Sequence, residues 1–283
     1  MISICIPAYK AARFLPKTLA SVREQLFTDW ELILVEDGSD DGTRGIIETF
    51  ATSVRQTVRY LRHEQNRGLT ATRNTGISAA RSDWIAILDA DDVWTPEHLS
   101  ACAEAAQASD ADVVHGGSQL FDSDTGRDLE TRVPDDAALA TVPLSVFTQQ
   151  YIIQPSSIVM KRALWEQVGG FDTTFQHVED LEMWLRCLRA GAAIHYSGKV
   201  TCRYRKHASA MSGESYPMAA AFARVYARHL DWEAIPRRVR RERAMAGFVA
   251  AARLCWRKKP ARATLHLFSA LCSVLGLRVV SST

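Results

Sequence analysis

The nine residues Ile85-Ala86-Ile87-Leu88-Asp89-Ala90-Asp91-Asp92-Val93 join an apolar run to three carboxylates within four positions. The apolar part has the length and composition of a buried strand, so the carboxylates fall at its end. Carboxylates so crowded repel one another unless a cation neutralises them. Two of them on a turn suit Mg²⁺ or Mn²⁺, hard ions that keep several waters and bridge to the phosphates of a ligand. The plainer alternative is a surface turn with helix-capping aspartates, since Thr95-Pro96-Glu97 has the character of a helix start. A second acidic pair, Glu179-Asp180, opens a helix-like stretch that runs to Arg189.

Positioning these groups falls to alternating elements. Strand-like runs occur at Ile2–Ile6, Glu31–Val35, Val58–Leu61, Trp84–Leu88 and Asp112–His115, with helix-like segments at Leu15–Gln25, Thr43–Thr52, Gly68–Ala80 and Pro96–Ala108. Such alternation predicts βαβ units, right-handed crossovers and a mostly parallel sheet that binds its ligand at the carboxyl ends of its strands. Polar residues gather at those ends: Pro7-Ala8-Tyr9, Glu36-Asp37-Gly38-Ser39 and Asp89-Ala90-Asp91. The first turn, Pro7-Ala8-Tyr9-Lys10, lacks both the Gly-x-Gly-x-x-Gly fingerprint and a P-loop. Phosphate must be held some other way, and an acidic strand end with a metal supplies one. From about Gly116 to Thr148 the pattern weakens, and Asp122–Asp124 and Pro134–Asp136 look like turns and loops. Order returns at Ser156–Met160, with short strands expected at Ala193–Tyr196 and Val200–Tyr204. Three helices are expected beyond Met211, at Pro217–His229, Arg237–Trp256 and Arg262–Leu275.

At 283 residues, 47% hydrophobic, the chain buries a full core. A formal net charge of +2 argues against a generic polyanion binder, although basic residues crowd the stretch after Pro236. The six cysteines, Cys5, Cys102, Cys187, Cys202, Cys255 and Cys272, show no paired spacing. A zinc site or disulfide framework is therefore not expected, and a reducing, cytoplasmic setting fits. Met1 leads directly into the first strand without a basic leader, so no signal peptide is read. The longest apolar stretch, Ala263 to Leu277, is interrupted by His266 and falls short of the roughly 20 residues of a spanning helix.

Taken in order, the motifs resemble a family 2 glycosyltransferase with the GT-A fold, an α/β architecture with a Rossmann-like sheet flanked by helices. The resemblance covers about residues 2 to 210. It rests on Ile4-Cys5-Ile6-Pro7-Ala8-Tyr9, Val35-Glu36-Asp37-Gly38-Ser39-Asp40-Asp41-Gly42-Thr43, Asn66-Arg67-Gly68-Leu69 and Arg73-Asn74-Thr75-Gly76. Leu88-Asp89-Ala90-Asp91-Asp92, Gly169-Gly170-Phe171-Asp172 and Glu179-Asp180 with Trp184-Leu185-Arg186 complete the series. Gln-x-x-Arg-Trp and the transmembrane segments of the family's processive polymerases are not found. The resemblance therefore implies a single-sugar, inverting, metal-dependent transferase that takes its sugar from a nucleotide-diphosphate sugar, with a UDP-linked donor expected.

In the roles that resemblance implies, Asp37 accepts the N3–H of uracil while Pro7 and Tyr9 wall the base pocket. Arg73 lies near the diphosphate or ribose. Asp91 ligates Mn²⁺ or Mg²⁺, and Asp89 reaches the ribose or a metal-bound water. Asp92 supports or caps the turn. Asp180 is the base for the acceptor hydroxyl, with Glu179 beside it. Trp184, on the same helix face as Asp180, packs in the core or stacks on base or sugar. Arg203-Tyr204-Arg205-Lys206-His207, followed by Ser209 and Ser212, resembles a loop that closes over the diphosphate. There His207 is a further metal or phosphate contact, and Arg205 or Lys206 a phosphate ligand.

The expected organisation is a catalytic domain over 1–212, with a nucleotide-sugar half to about 115 and an acceptor half from about 116, then a basic helical extension over 213–283. Ten basic residues from Arg237 to Arg262, with Phe248 and Trp256 among them, suit an amphipathic helix on an anionic membrane. The competing arrangement packs Ala250, Leu254 and Leu265 on the catalytic domain. No nucleic-acid partner is expected. The acceptor expected is a glycan or a lipid-linked saccharide. The rival functions are a nucleotide-sugar-binding regulator without turnover and a nucleotidyltransferase, whose Gly-rich basic loop is missing here.

Overall fold

The structure is a computed structural model that describes residues 1–207, 215–256 and 259–275. Ser209, Met211, Ser212, Arg257, Lys258 and the residues after Leu275 lie outside the described residues.

Strands β1 (Ile2–Ala8) and β2 (Trp30–Asp37) are buried along their whole length. They are near-continuous apolar runs because helices cover both faces of the sheet. Alternate side chains enter different cores: Ile4, Ile6, Leu32 and Leu34 one, Cys5, Ile33 and Val35 the other. Strands β3 (Val58–His63) and β4 (Trp84–Ile87) extend this sheet in parallel, in the order β3-β2-β1-β4. Helices α1 (Leu15–Arg23), α2 (Thr43–Ser53) and α3 (Leu69–Ser78) make the crossovers. The register sets Ala8 opposite Glu36 and Asp37 opposite His63, so the carboxyl ends share one edge.

Beyond β4 the sheet changes character. A two-residue strand β5 (Val93–Trp94) and helix α4 (His98–Gln107) lead to β6 (Val113–Asp122), which hairpins with β7 (Asp128–Arg132). Two short helices follow, α5 (Asp136–Ala140) and α6 (Leu144–Phe147), then β8 (Ile158–Lys161) and α7 (Arg162–Val168). Helix α8 (Glu179–Arg189) precedes the long strand β9 (Ile194–Lys206). Strand β8 inserts between β4 and β6, antiparallel to both, and the order continues β6-β9-β5. The expected parallel sheet thus describes the first half, and a mixed sheet completes it.

Two expectations change. The weak pattern over 116–148 conceals a strand, since β6 continues through Gly116 and Gly117 to Asp122, while turns do fall at 123–125 and irregular chain at 133–135. Those glycines are there for close approach, since a Cβ on Gly116 would stand 2.0 Å from Thr201 Oγ1. Nor are 193–196 and 200–204 separate strands; β9 runs through Gly198, whose φ is +77°.

Helices α9 (Tyr216–Arg228), α10 (Arg237–Cys255) and α11 (Pro260–Leu275) form the C-terminal part. Helix α9 is continuous with one of the two large cores through Val225 and Tyr226, and Trp232 joins the same cluster. Arg228 ties it further, to Asp172 at 2.8 Å and to the buried Glu182.

Candidate active site

The acidic turn after β4 is held from several sides. The Thr18 hydroxyl of α1 donates to the carbonyls of Ala90 and Asp92, at 2.9 and 2.8 Å. Ser156 accepts from the Asp89 N–H at 3.1 Å and donates to Asp92 Oδ2 at 2.5 Å. From β9, the Arg205 N–H donates to Asp92 Oδ1 and its Nε to the Asp91 carbonyl, at 2.9 and 2.6 Å. Asp92 is therefore the buried support of the turn. Burial, then the charges of Asp91 and Asp89, hold its carboxyl well above the usual range. Asp91 is raised for the same reasons, burial first and Asp89 next. Its Oδ2 lies 2.9 Å from His207 Nε2, so the structure brings these two candidate ligands together.

Across the edge stands Asp180, the second residue of α8. Val178, just before that helix, has φ +61° and ψ 21°, an outlying conformation for a β-branched residue that is also buried. The strained residue turns the chain so that Glu179 and Asp180 begin the helix side by side. Burial, then the charge of Glu179, raises the Asp180 carboxyl from 3.8 to about 7. The Leu181 N–H, donating at 2.7 Å, and the Arg73 charge oppose this only in part.

Arg73 connects the two acidic groups. Its Nη2 donates to both oxygens of Asp89 at 2.8 and 2.9 Å, and its Nη1 to Glu179 Oε1 at 2.8 Å. With 1% of its side chain exposed, Arg73 is buried between these two carboxylates. Burial disfavours its charge, but the carboxylates of Asp89 and Glu179 more than offset this and raise its pKa. Neighbouring Asn74 brackets Phe171, donating to its carbonyl at 2.7 Å and accepting from its N–H at 2.9 Å. The Arg-Asn and Gly-Gly-Phe-Asp motifs are thereby one packed unit.

Asp37 is 2% exposed. It accepts from the N–H groups of Arg67 and Gly68, both at 2.8 Å, and lies 2.7 Å from His63 Nδ1. Three of a carboxylate's roughly four acceptor positions are therefore filled by the chain, which makes Asp37 chiefly the builder of the 63–68 turn. Pro7 is buried in β1, whereas Tyr9 is exposed at the strand end. Trp184 is 2% exposed, donates to the Ile153 carbonyl at 3.1 Å and meets Phe171 edge-on. It packs as a core residue, the first of the two fates expected for it. The Arg205 guanidinium lies over Phe14 and Phe121, with centroid distances of 5.0 and 4.6 Å. Sequence reasoning missed Val178, Ser156 and Thr18. Nothing in their types or spacing marks them.

Among the described residues, no group of three or more His, Cys, Asp or Glu is arranged to hold a metal ion. Asp91 and His207 offer an oxygen and a nitrogen, with Asp89 two positions away but engaged by Arg73. That donor set fits an ion that takes its remaining ligands from phosphate oxygens and water.

A half-parallel, half-mixed sheet with an acidic turn at its strand ends and an acidic helix start facing that edge defines the GT-A class of fold. A family model described as "Glycosyl transferase family 2" matches residues 3–166, and the chain belongs to that family. It is 25% identical over 218 residues to the Escherichia coli UDP-Glc:alpha-D-GlcNAc-diphosphoundecaprenol beta-1,3-glucosyltransferase WfgD, covering 76% of this chain and 81% of that one. Against relatives from Rickettsia felis and Rickettsia conorii the chain spans about a third of their length, 34% in each. Staphylococcus aureus TarS 1-349 in complex with UDP-GlcNAc superposes with a TM-score of 0.69 at 16% identity, covering 95% of this chain and 79% of that one. The Pyrobaculum calidifontis mannosyltransferase PcManGT, in complex with GDP-Man and Mn²⁺, gives 0.64 at 18% identity, covering 96% and 80%.

Proposed function

We propose that the protein transfers one sugar, with inversion, from a UDP-linked donor to a hydroxyl of a glycan or lipid-linked saccharide. The observation that carries this is the Arg73 bridge, which fixes Asp89 and the Glu179-Asp180 pair on one edge. Asp180, with a pKa near neutrality, is suited to take the acceptor proton at working pH. The acceptor oxygen then bonds to the anomeric carbon, the bond to the diphosphate oxygen breaks, and the nucleoside diphosphate leaves with that electron pair. Attack from the face opposite the leaving group inverts the centre.

The nucleotide lies over β1 and β2, with Tyr9 against the base and the remaining lone pair of Asp37 accepting the base N–H. Asp91 and His207, with Asp89 behind them, would hold Mn²⁺ or Mg²⁺, which when bound offsets the charge growing on the diphosphate. The catalytic unit is read as residues 1–212, with 213–283 as its helical extension. A lipid-linked acceptor would place the enzyme at a membrane surface. The names of WfgD and the UDP-GlcNAc complex of TarS support the choice of UDP and of such acceptors.

The test is calorimetric titration of UDP, GDP and dTDP with Mn²⁺ and with EDTA, followed by transfer assays with the matching nucleotide sugars. UDP binding that needs the metal is the expected result. Absence of binding for all three nucleotides in both conditions would overturn the reading.

A further inference from the structure

Helix α11 is packed inside out. Its buried face carries small or polar residues, among them Ala263, His266, Ala270 and Ser273. Its exposed face carries Leu267, Phe268, Leu271, Val274 and Leu275, between 42% and 59% exposed. These follow one another at helical spacing and form a single apolar stripe. The small residues leave no freedom to turn the stripe inward. Ala270 packs on Phe248 of α10, and Ala263 on Ala252 and Cys255. Gly247 of α10 sits so close to α9 that a Cβ there would lie 2.8 Å from the Ala223 Cα. On α10, Leu254 and Trp256 are also 49% and 53% exposed, so Leu254 does not pack on the catalytic domain.

Charge identifies the occupant. From Arg237 to Leu275 the sequence has ten Lys and Arg and one acid, Glu242, which pairs with Arg238 at 2.6 Å. A second copy docked about a two-fold axis would set this arginine-rich surface against itself, where like charges oppose binding. Among the described residues no helix is long and apolar enough to cross a membrane. An apolar stripe beside dense positive charge instead suits a helix lying in the interface of an anionic bilayer.

We propose that α10 and α11 form a monotopic membrane-binding surface, with Phe268, Leu271 and Leu275 entering the acyl boundary and the arginines meeting anionic headgroups. This deepens the membrane-surface location in the functional reading, but it is measured without any sugar transfer, so either can fail alone.

The experiment is flotation of the full chain with vesicles of phosphatidylcholine alone and of phosphatidylcholine mixed with phosphatidylglycerol, at low and high salt. The chain should float with the mixed vesicles and be released in part by salt. The double variant Phe268→Ser, Leu271→Ser should bind at least about tenfold more weakly while melting at the parent temperature, because both side chains are already exposed. An Arg253→Glu, Arg262→Glu variant should lose the preference for the anionic vesicles. The proposal is overturned if the parent floats with neither vesicle, or if the serine variant binds as well as the parent. It is equally overturned if light scattering shows a dimer that the serine substitutions dissociate and no vesicle binding.

Discussion

Replacing Asp180 by Asn should disable the enzyme and stabilise the fold, and the two effects have one cause. Burial and the adjacent Glu179 raise the Asp180 carboxyl from 3.8 to about 7. A group whose folded pKa lies above its unfolded value binds its proton more tightly when folded. Folding therefore enjoys full stability below pH 3.8 and loses it as the pH climbs through about 7. A shift of about three units sets a ceiling of about 4 kcal/mol on that loss, at about 1.4 kcal/mol per unit. The Asn side chain is itself a buried polar group with a desolvation cost, so the substitution should recover roughly half, about 2 kcal/mol. Asn keeps an oxygen for the Leu181 N–H, which now donates to Asp180 at 2.7 Å, so the geometry survives.

In thermal unfolding, Asp180→Asn should melt about 4 °C above the parent at pH 8.5 and level with it near pH 4. Transfer should fall about 10²- to 10⁴-fold with nucleotide affinity nearly unchanged. The parent's kcat/KM should rise with pH to a plateau above about 7. A variant no more stable than the parent at pH 8.5 would refute the burial argument. A loss of transfer under tenfold would refute the base.

Arg73→Met strands Asp89 and Glu179 as unpaired carboxylates, and should cost about 3 to 5 kcal/mol in urea unfolding. Asp91→Ala should abolish the dependence of UDP affinity on Mn²⁺ in calorimetry; an unchanged metal effect would move the ion elsewhere. Gly38→Ala sets a Cβ 2.5 Å from the Gln65 carbonyl carbon at a φ of +67°, and should lower stability by about 1 to 3 kcal/mol.

The first half of the fold was legible because strands covered on both faces are written as apolar runs. The observed β1 and β2 extend the expected runs by no more than two residues at either end. Later strands were legible only in pieces, and glycine is part of the reason. Gly116, Gly117 and Gly198 read as breaks, yet the first two admit Thr201 and Val133 and the third lets β9 bend onward. Strand β7 is an exposed polar edge, Asp128 to Arg132, with no apolar alternation to announce it.

The acidic residues that gather at this edge were legible by type, and their wiring was not. Asp89, Asp91 and Glu179-Asp180 carry their meaning in spacing along one segment. The contact that makes them one site joins Arg73 to Glu179, 106 positions apart. An arginine in an α3 sequence of small and polar residues gives no sign that it will be buried. Its role follows only from the sheet, which brings α3, the β4 turn and the start of α8 to one edge. Because Arg73 neutralises Asp89 and Glu179 but touches neither Asp91 nor Asp180, it divides the acidic residues into two kinds. The first kind is held by the arginine; the second has no arginine partner and a raised pKa. That division lets Asp89, Glu179, Asp91 and Asp180 coexist at one edge, with Asp92 held beside them by Ser156 and Arg205.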